Sequence, residues 1–105
     1  MTNYIIILCN TNSKDSAETI ATYLIKESLT ACVNIIPKIT SIYKWQNKIE
    51  NDEEYLMLIK TKKELFDKVK EKIQILHPYE VPEIISIDIS NGNSEYLKWL
   101  NNNTI

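Results

Sequence analysis

Arginine is missing from the 105 residues: all 12 basic side chains are lysines, set against 14 acidic ones for a net charge of −2. Proteins that bind nucleic acid neutralise phosphates and read bases with clustered Lys and Arg. Here the lysines are scattered or share a helix with glutamates, which argues against a nucleic-acid partner. Glycine is nearly missing too. A single Gly92 excludes the glycine-rich phosphate loops of dinucleotide-binding and P-loop proteins. Two cysteines, Cys9 and Cys32, are too few for a disulfide framework and form no CxxC pair. Long hydrophobic runs are also lacking. The first apolar stretch, Ile5 to Cys9, is too short for a signal-peptide core or a membrane span, and no positive side chain precedes it. These absences point to a cytoplasmic protein with no membrane partner.

What is present suits one domain over residues 1–105, since 44% of the side chains are hydrophobic and the length fits a single core. Tyr4 to Cys9 reads as a central strand. Ala17, Ile20, Ala21, Leu24 and Ile25 then recur at helical spacing, with Ser13 or Asp15 as the cap. Ala31 to Ile36 and Ile39 to Trp45 read as one long strand bent at Pro37, which cannot donate to a ladder. Gln46 and Asn47 make the turn, Asn47 tolerating a left-handed conformation. The return strand, about Lys48 to Lys60, is interrupted by the acidic patch Glu50 to Glu54. Thr61 to Glu64 has the spacing of a capping box, opening a helix with Leu65, Phe66, Val69, Ile73 and Leu76 inward. Pro78 ends it, Glu83 to Ile89 forms a last strand, and a short helix spans Glu95 to Leu100.

The order β-α-β-β-α-β plus a C-terminal helix is the α+β, ferredoxin-like split βαβ arrangement. Ile7, Ile20, Leu24, Leu58, Val69 and Ile87 are its expected core. In this arrangement the fourth strand lies antiparallel beside the first, so the end of strand one approaches the segment before strand four. Cys9 and His77, the sole histidine, therefore become spatial neighbours. A thiol and an imidazole suit a soft or borderline metal such as copper or zinc, or a Cys/His nucleophile pair. The structural alternatives are an inert cysteine in the core and a histidine satisfying helix-terminal carbonyls. Glu80 and Glu83, flanking Val81 and Pro82, carry no specific signal. Tyr43 and Trp45 point the same way at the hairpin tip and suggest contact between copies of the chain.

Five segments taken together resemble a known family: Ala31–Ile35, Ser41–Trp45, Leu58–Thr61, the block His77-Pro78-Tyr79-Glu80-Val81-Pro82-Glu83-Ile84-Ile85, and Tyr96–Leu100. Their order and spacing are similar to those of the CutA divalent-cation tolerance family. The resemblance implies a ferredoxin-like homotrimer without assigned catalytic activity, associated with tolerance to copper and other divalent metal ions. The family's copper ligands are a Cys ending strand one and a His-His pair before Pro-Tyr. Cys9 matches the first and His77 the second histidine, whereas Leu76 stands at the first, so any copper binding is expected to be weak. Asn47 replaces the hairpin glycine. The resemblance further implies an alternative role, a PII-like sensor or scaffold that takes a small effector or partner protein between subunits. Lysines near such a cleft, Lys60 above all, would favour an anionic effector.

Overall fold

The computed structural model describes residues 2–105. Strand β1 (Tyr4–Thr11) buries every second side chain, placing Ile5, Ile7, Cys9 and Thr11 against the helices. Helix α1 (Lys14–Lys26) starts at Ser13, whose hydroxyl accepts the Ser16 backbone N–H at 3.1 Å. Its buried stripe is Ala17, Ile20, Ala21 and Leu24, while Ile25 stays exposed.

Strands β2 (Cys32–Trp45) and β3 (Lys48–Lys62) form a long antiparallel hairpin. Its register breaks between Ile36 and Ile39, where Pro37 supplies no donor and Lys38 takes a φ of 56°. At the tip, Gln46 and Asn47 both have positive φ, 49° and 65°, the two-residue turn that matches strand twist. A 3-10 turn (Lys63–Leu65) leads into α2 (Phe66–Leu76), followed by β4 (Ile85–Asp88) and α3 (Ser94–Asn102), which Asn93 caps through the Glu95 N–H.

Among the described residues, four strands form one antiparallel sheet in the order β2-β3-β1-β4. The element order is the one read from the sequence, and β4 does pair with β1. The core lies between one sheet face and α1 and α2: Ile5, Ile7, Met57 and Ile59 from the sheet, Ile20, Leu24, Val69 and Ile73 from the helices. Helix α3 packs against β3 and buries Leu100.

Several expectations need correction. Leu58 and Ile87 are not in the core: Leu58 is half-buried and Ile87 is 55% exposed. Pairing of Ile7 with Ile59 and with Ser86 turns Leu58 and Ile87 to the opposite face, beside Ile6, Leu8, Leu56 and Ile85. The capping box does not form. Thr61 is still in β3, and its hydroxyl donates to the Leu29 carbonyl at 2.6 Å. The acidic patch does not interrupt β3, which runs unbroken for 15 residues, and β4 is shorter than Glu83 to Ile89.

Candidate functional site

The end of β1 brings the two sequence-selected residues to one atom. Cys9 points to the helix side and is fully buried. His77, the cap residue of α2, is 8% exposed, its backbone N–H tied to the Ile73 carbonyl at 2.8 Å. The Cys9 Sγ donates to the Asn10 carbonyl at 3.8 Å, and the His77 Nε2 donates to the same oxygen at 2.6 Å. Sulfur and ring nitrogen are thus separated by no more than the sum of those distances. On the other side of the ring, Nδ1 accepts the Tyr79 backbone N–H at 3.0 Å. That bond leaves the proton on Nε2 and defines the neutral tautomer.

Neither group is held as a ready metal ligand: the thiol keeps its proton, Nε2 carries its own and Nδ1 is engaged. Burial, reinforced by Glu83 and Glu54, pushes the Cys9 thiol up to about 12. Desolvation lowers the His77 pKa, opposed by the Asn10 carbonyl and by Glu54. Among the described residues, no three His, Cys, Asp or Glu side chains are grouped so as to hold a metal ion. A first prediction follows from the thiol. In the folded protein at mildly alkaline pH, Cys9 should resist an aromatic disulfide reagent while the half-buried Cys32 reacts, and denaturation should release the second equivalent. That result would also remove the cysteine-nucleophile reading, which requires an exposed thiolate.

Asn10, one residue on, turns to the other face of the sheet and lines a cleft of about 630 Å³ between the β2–β3 hairpin and the segment after His77. Ser41, Tyr43 and Trp45 lie on its hairpin wall, Tyr79 on its loop wall, and Asp52, Glu54, Glu80 and Glu83 make the lining acidic. The Tyr79 hydroxyl donates to Glu54 Oε2 at 2.5 Å, and the Tyr43 hydroxyl donates to Asp52. Burial and the Glu54 bond raise the Tyr79 phenol, and the Asp52 bond holds the Tyr43 phenol at about 12. The His77 and Tyr79 rings pack at 4.8 Å with a 57° tilt, so one short segment closes both sites. Sequence reasoning missed Glu54, which is only 6% exposed; it read as part of an acidic patch interrupting the strand. Lys60 bonds the Asn34 side chain and does not line this cleft, which lies within one chain.

Comparison with known proteins agrees with this architecture. A divalent-cation tolerance protein CutA of Thermus thermophilus is 50% identical over 99 residues, covering 94% of this chain and 96% of that protein. A solved divalent cation tolerance protein (Cut A1) from the same organism superposes with a TM-score of 0.94 over 96% of this chain and 98% of that one, at 48% identity. CutA from Xylella fastidiosa gives a TM-score of 0.97 at 36% identity, covering 99% of this chain and all of that chain. A chloroplastic CutA 1 of Oryza sativa is 41% identical over 95% of this chain, which spans 56% of that relative's length. The family profile described as CutA1 divalent ion tolerance protein matches residues 5–103. Close sequence identity, the shared backbone and a profile match over nearly the whole length place this chain in the CutA1 divalent ion tolerance family.

Proposed function

We propose that the chain is a non-enzymatic homotrimer of the divalent-metal response, acting in the cytoplasm as one ferredoxin-like domain and contacting copper or another divalent ion weakly through Cys9 and His77. Family membership supports the tolerance role. The observation that carries the metal contact is the shared oxygen: Cys9 Sγ and His77 Nε2 converge on the Asn10 carbonyl. A thiolate–imidazole pair suits a soft or borderline cation. Neither donor is free as the fold stands. An ion must displace the thiol proton, and Nε2 ligates only once its own proton moves to Nδ1 at the expense of the Tyr79 bond, so binding releases the thiol proton and weakens as pH falls. Leu76 adds no third ligand, and solvent or a neighbouring chain would supply it. Free thiols at Cys9 and Cys32 suit a reducing cytoplasm.

The test is an anaerobic copper titration by calorimetry on protein whose sedimentation mass is that of three chains. Weak binding that strengthens with pH and resists competing manganese or magnesium is expected, with most of it lost in Cys9→Ser and in His77→Ala. Binding unchanged in both variants would refute the site, and a monomeric mass would refute the assembly.

A second reading, a PII-like sensor or scaffold, is favoured by the cleft beside Asn10, whose volume of about 630 Å³ falls within the range of small-molecule sites.

A further inference from the structure

One face of β3 is sorted by charge. Alternate residues of a strand share a face, and Met57 and Ile59 are buried against the helices. The even-numbered residues of β3 therefore lie on the open face. Past Lys48 at the turn they run Glu50, Asp52 and Glu54, then Leu56 and Leu58, then Lys60 and Lys62. The stripe is acidic on the hairpin arm, apolar in the middle and basic at the base.

Neither end is neutralised within the chain. Among the described residues, none of Glu50, Asp52, Glu54, Lys60 and Lys62 takes part in a side-chain ion pair. Glu54 and Asp52 accept the Tyr79 and Tyr43 hydroxyls, Lys60 donates to the Asn34 side chain, and Lys62 donates to the main-chain oxygen of Ile105. About 26 Å of strand separates Asp52 from Lys60 at the usual rise per residue. That distance is well beyond the screening length of about 8 Å at physiological salt, so the two ends do not offset each other. The apolar middle is wide. Leu58 pairs with Leu8, and Ile6 and Leu8 pair in turn with Ile87 and Ile85 on the same face.

We infer that a second copy of this chain covers the open face head to tail, the acidic arm of one copy set against Lys60 and Lys62 of the next. The inference rests on the homotrimer reading and adds which ends meet and what gives the contact its direction. The occupant is a copy because one chain carries both halves of the match, with the exposed Trp45 beside the acidic half. In a closed ring of three, each contact joins two different patches, as an acidic end and a basic end require. Like ends brought together would repel, so the charge order selects against the reversed contact.

The test is sedimentation in low salt at one sub-denaturing urea concentration, read as the protein concentration at which the three-chain species half dissociates. Lys60→Glu with Lys62→Glu should raise that concentration by about tenfold or more, and so should Glu50→Lys with Asp52→Lys. Lys60→Gln with Lys62→Gln removes charge without reversing it and should fall between wild type and the Glu pair. All four reversals in one chain restore opposite signs at every contact, and assembly should return to within about threefold of wild type. Circular dichroism checks the fold of each variant, and the Gln pair decides if a reversed chain does not fold. Wild-type assembly in the Gln pair, or a folded four-residue swap no better than either half, would overturn the inference and leave the trimer standing. A wild-type mass of one or two chains would overturn the homotrimer reading and this inference with it.

Discussion

Truncating Ile59 to Ala should lower the unfolding free energy by roughly 2–5 kcal/mol, and truncating its neighbour Leu58 should cost clearly less. Ile59 has no exposed surface and sits between Ile7 of β1 and Val33 of β2, in the two pairings that the inner strand β3 makes. Beneath it lie the apolar stripes of α1 and α2, Ile20, Leu24, Val69 and Ile73. Removing the side chain loses its transfer free energy and leaves a cavity walled by two strands and two helices, which cannot collapse onto it without shifting the sheet. Leu58 points the other way and keeps partial contact with water. Chemical denaturation of both variants checks the ranking through the midpoint at constant m. Equal losses would mean that the open face is as dry as the helix face. That is the outcome expected if a second chain covers Leu58, so the pair also reports on assembly when repeated across protein concentrations.

Why the core was only partly legible follows from β3 and β4. Helical stripes name their own inward face, and Ile20, Leu24 and Val69 are buried as the spacing predicts. Strand alternation divides residues into two sets and does not say which set faces the helices. In β3 the run Leu56-Met57-Leu58-Ile59 is apolar on both faces, so only pairing with β1 decides. In β4 the apolar set Ile85 and Ile87 lies on the open face, while Asp88 turns to the helix side and meets Lys63 at 3.3 Å. The Thr61–Glu64 spacing misled for a related reason. A long-range bond from the Thr61 hydroxyl to Leu29 outcompetes a local cap, and local spacing holds no information about Leu29.

The site was legible where topology determines it. Placing β4 beside β1 is enough to bring His77 to the end of β1, and the bond to Asn10 realises that placement. The acidic cleft was not legible, because Glu54 reads as one of an acidic patch interrupting the strand until the hairpin and the Tyr79 segment fold over it. Its signal was Tyr79 itself, a phenol needing a partner once buried.

Replacing His77 with Ala should destabilise the fold by roughly 2–4 kcal/mol, because it orphans two backbone groups at once. The imidazole donates to the Asn10 carbonyl and accepts the Tyr79 N–H, so it splices the end of β1 to the segment that forms the cleft wall. The same geometry dictates a pH dependence. A protonated ring carries hydrogen on Nδ1, which then faces the Tyr79 N–H donor to donor. Burial accordingly holds the folded-state pKa below its ordinary value, and the unfolded chain binds the proton first. Stability from this group is therefore complete above the unfolded value of about 6.5. It declines as pH falls from there toward the lower folded value, and flattens below it. His77→Asn, which can still donate to the carbonyl and does not titrate, should retain more stability than Ala and lose the slope in that window. Denaturant midpoints measured across that range for wild type and the Asn variant decide the matter. A slope that survives in the variant would assign the proton uptake to another group and leave His77 with a purely structural bond.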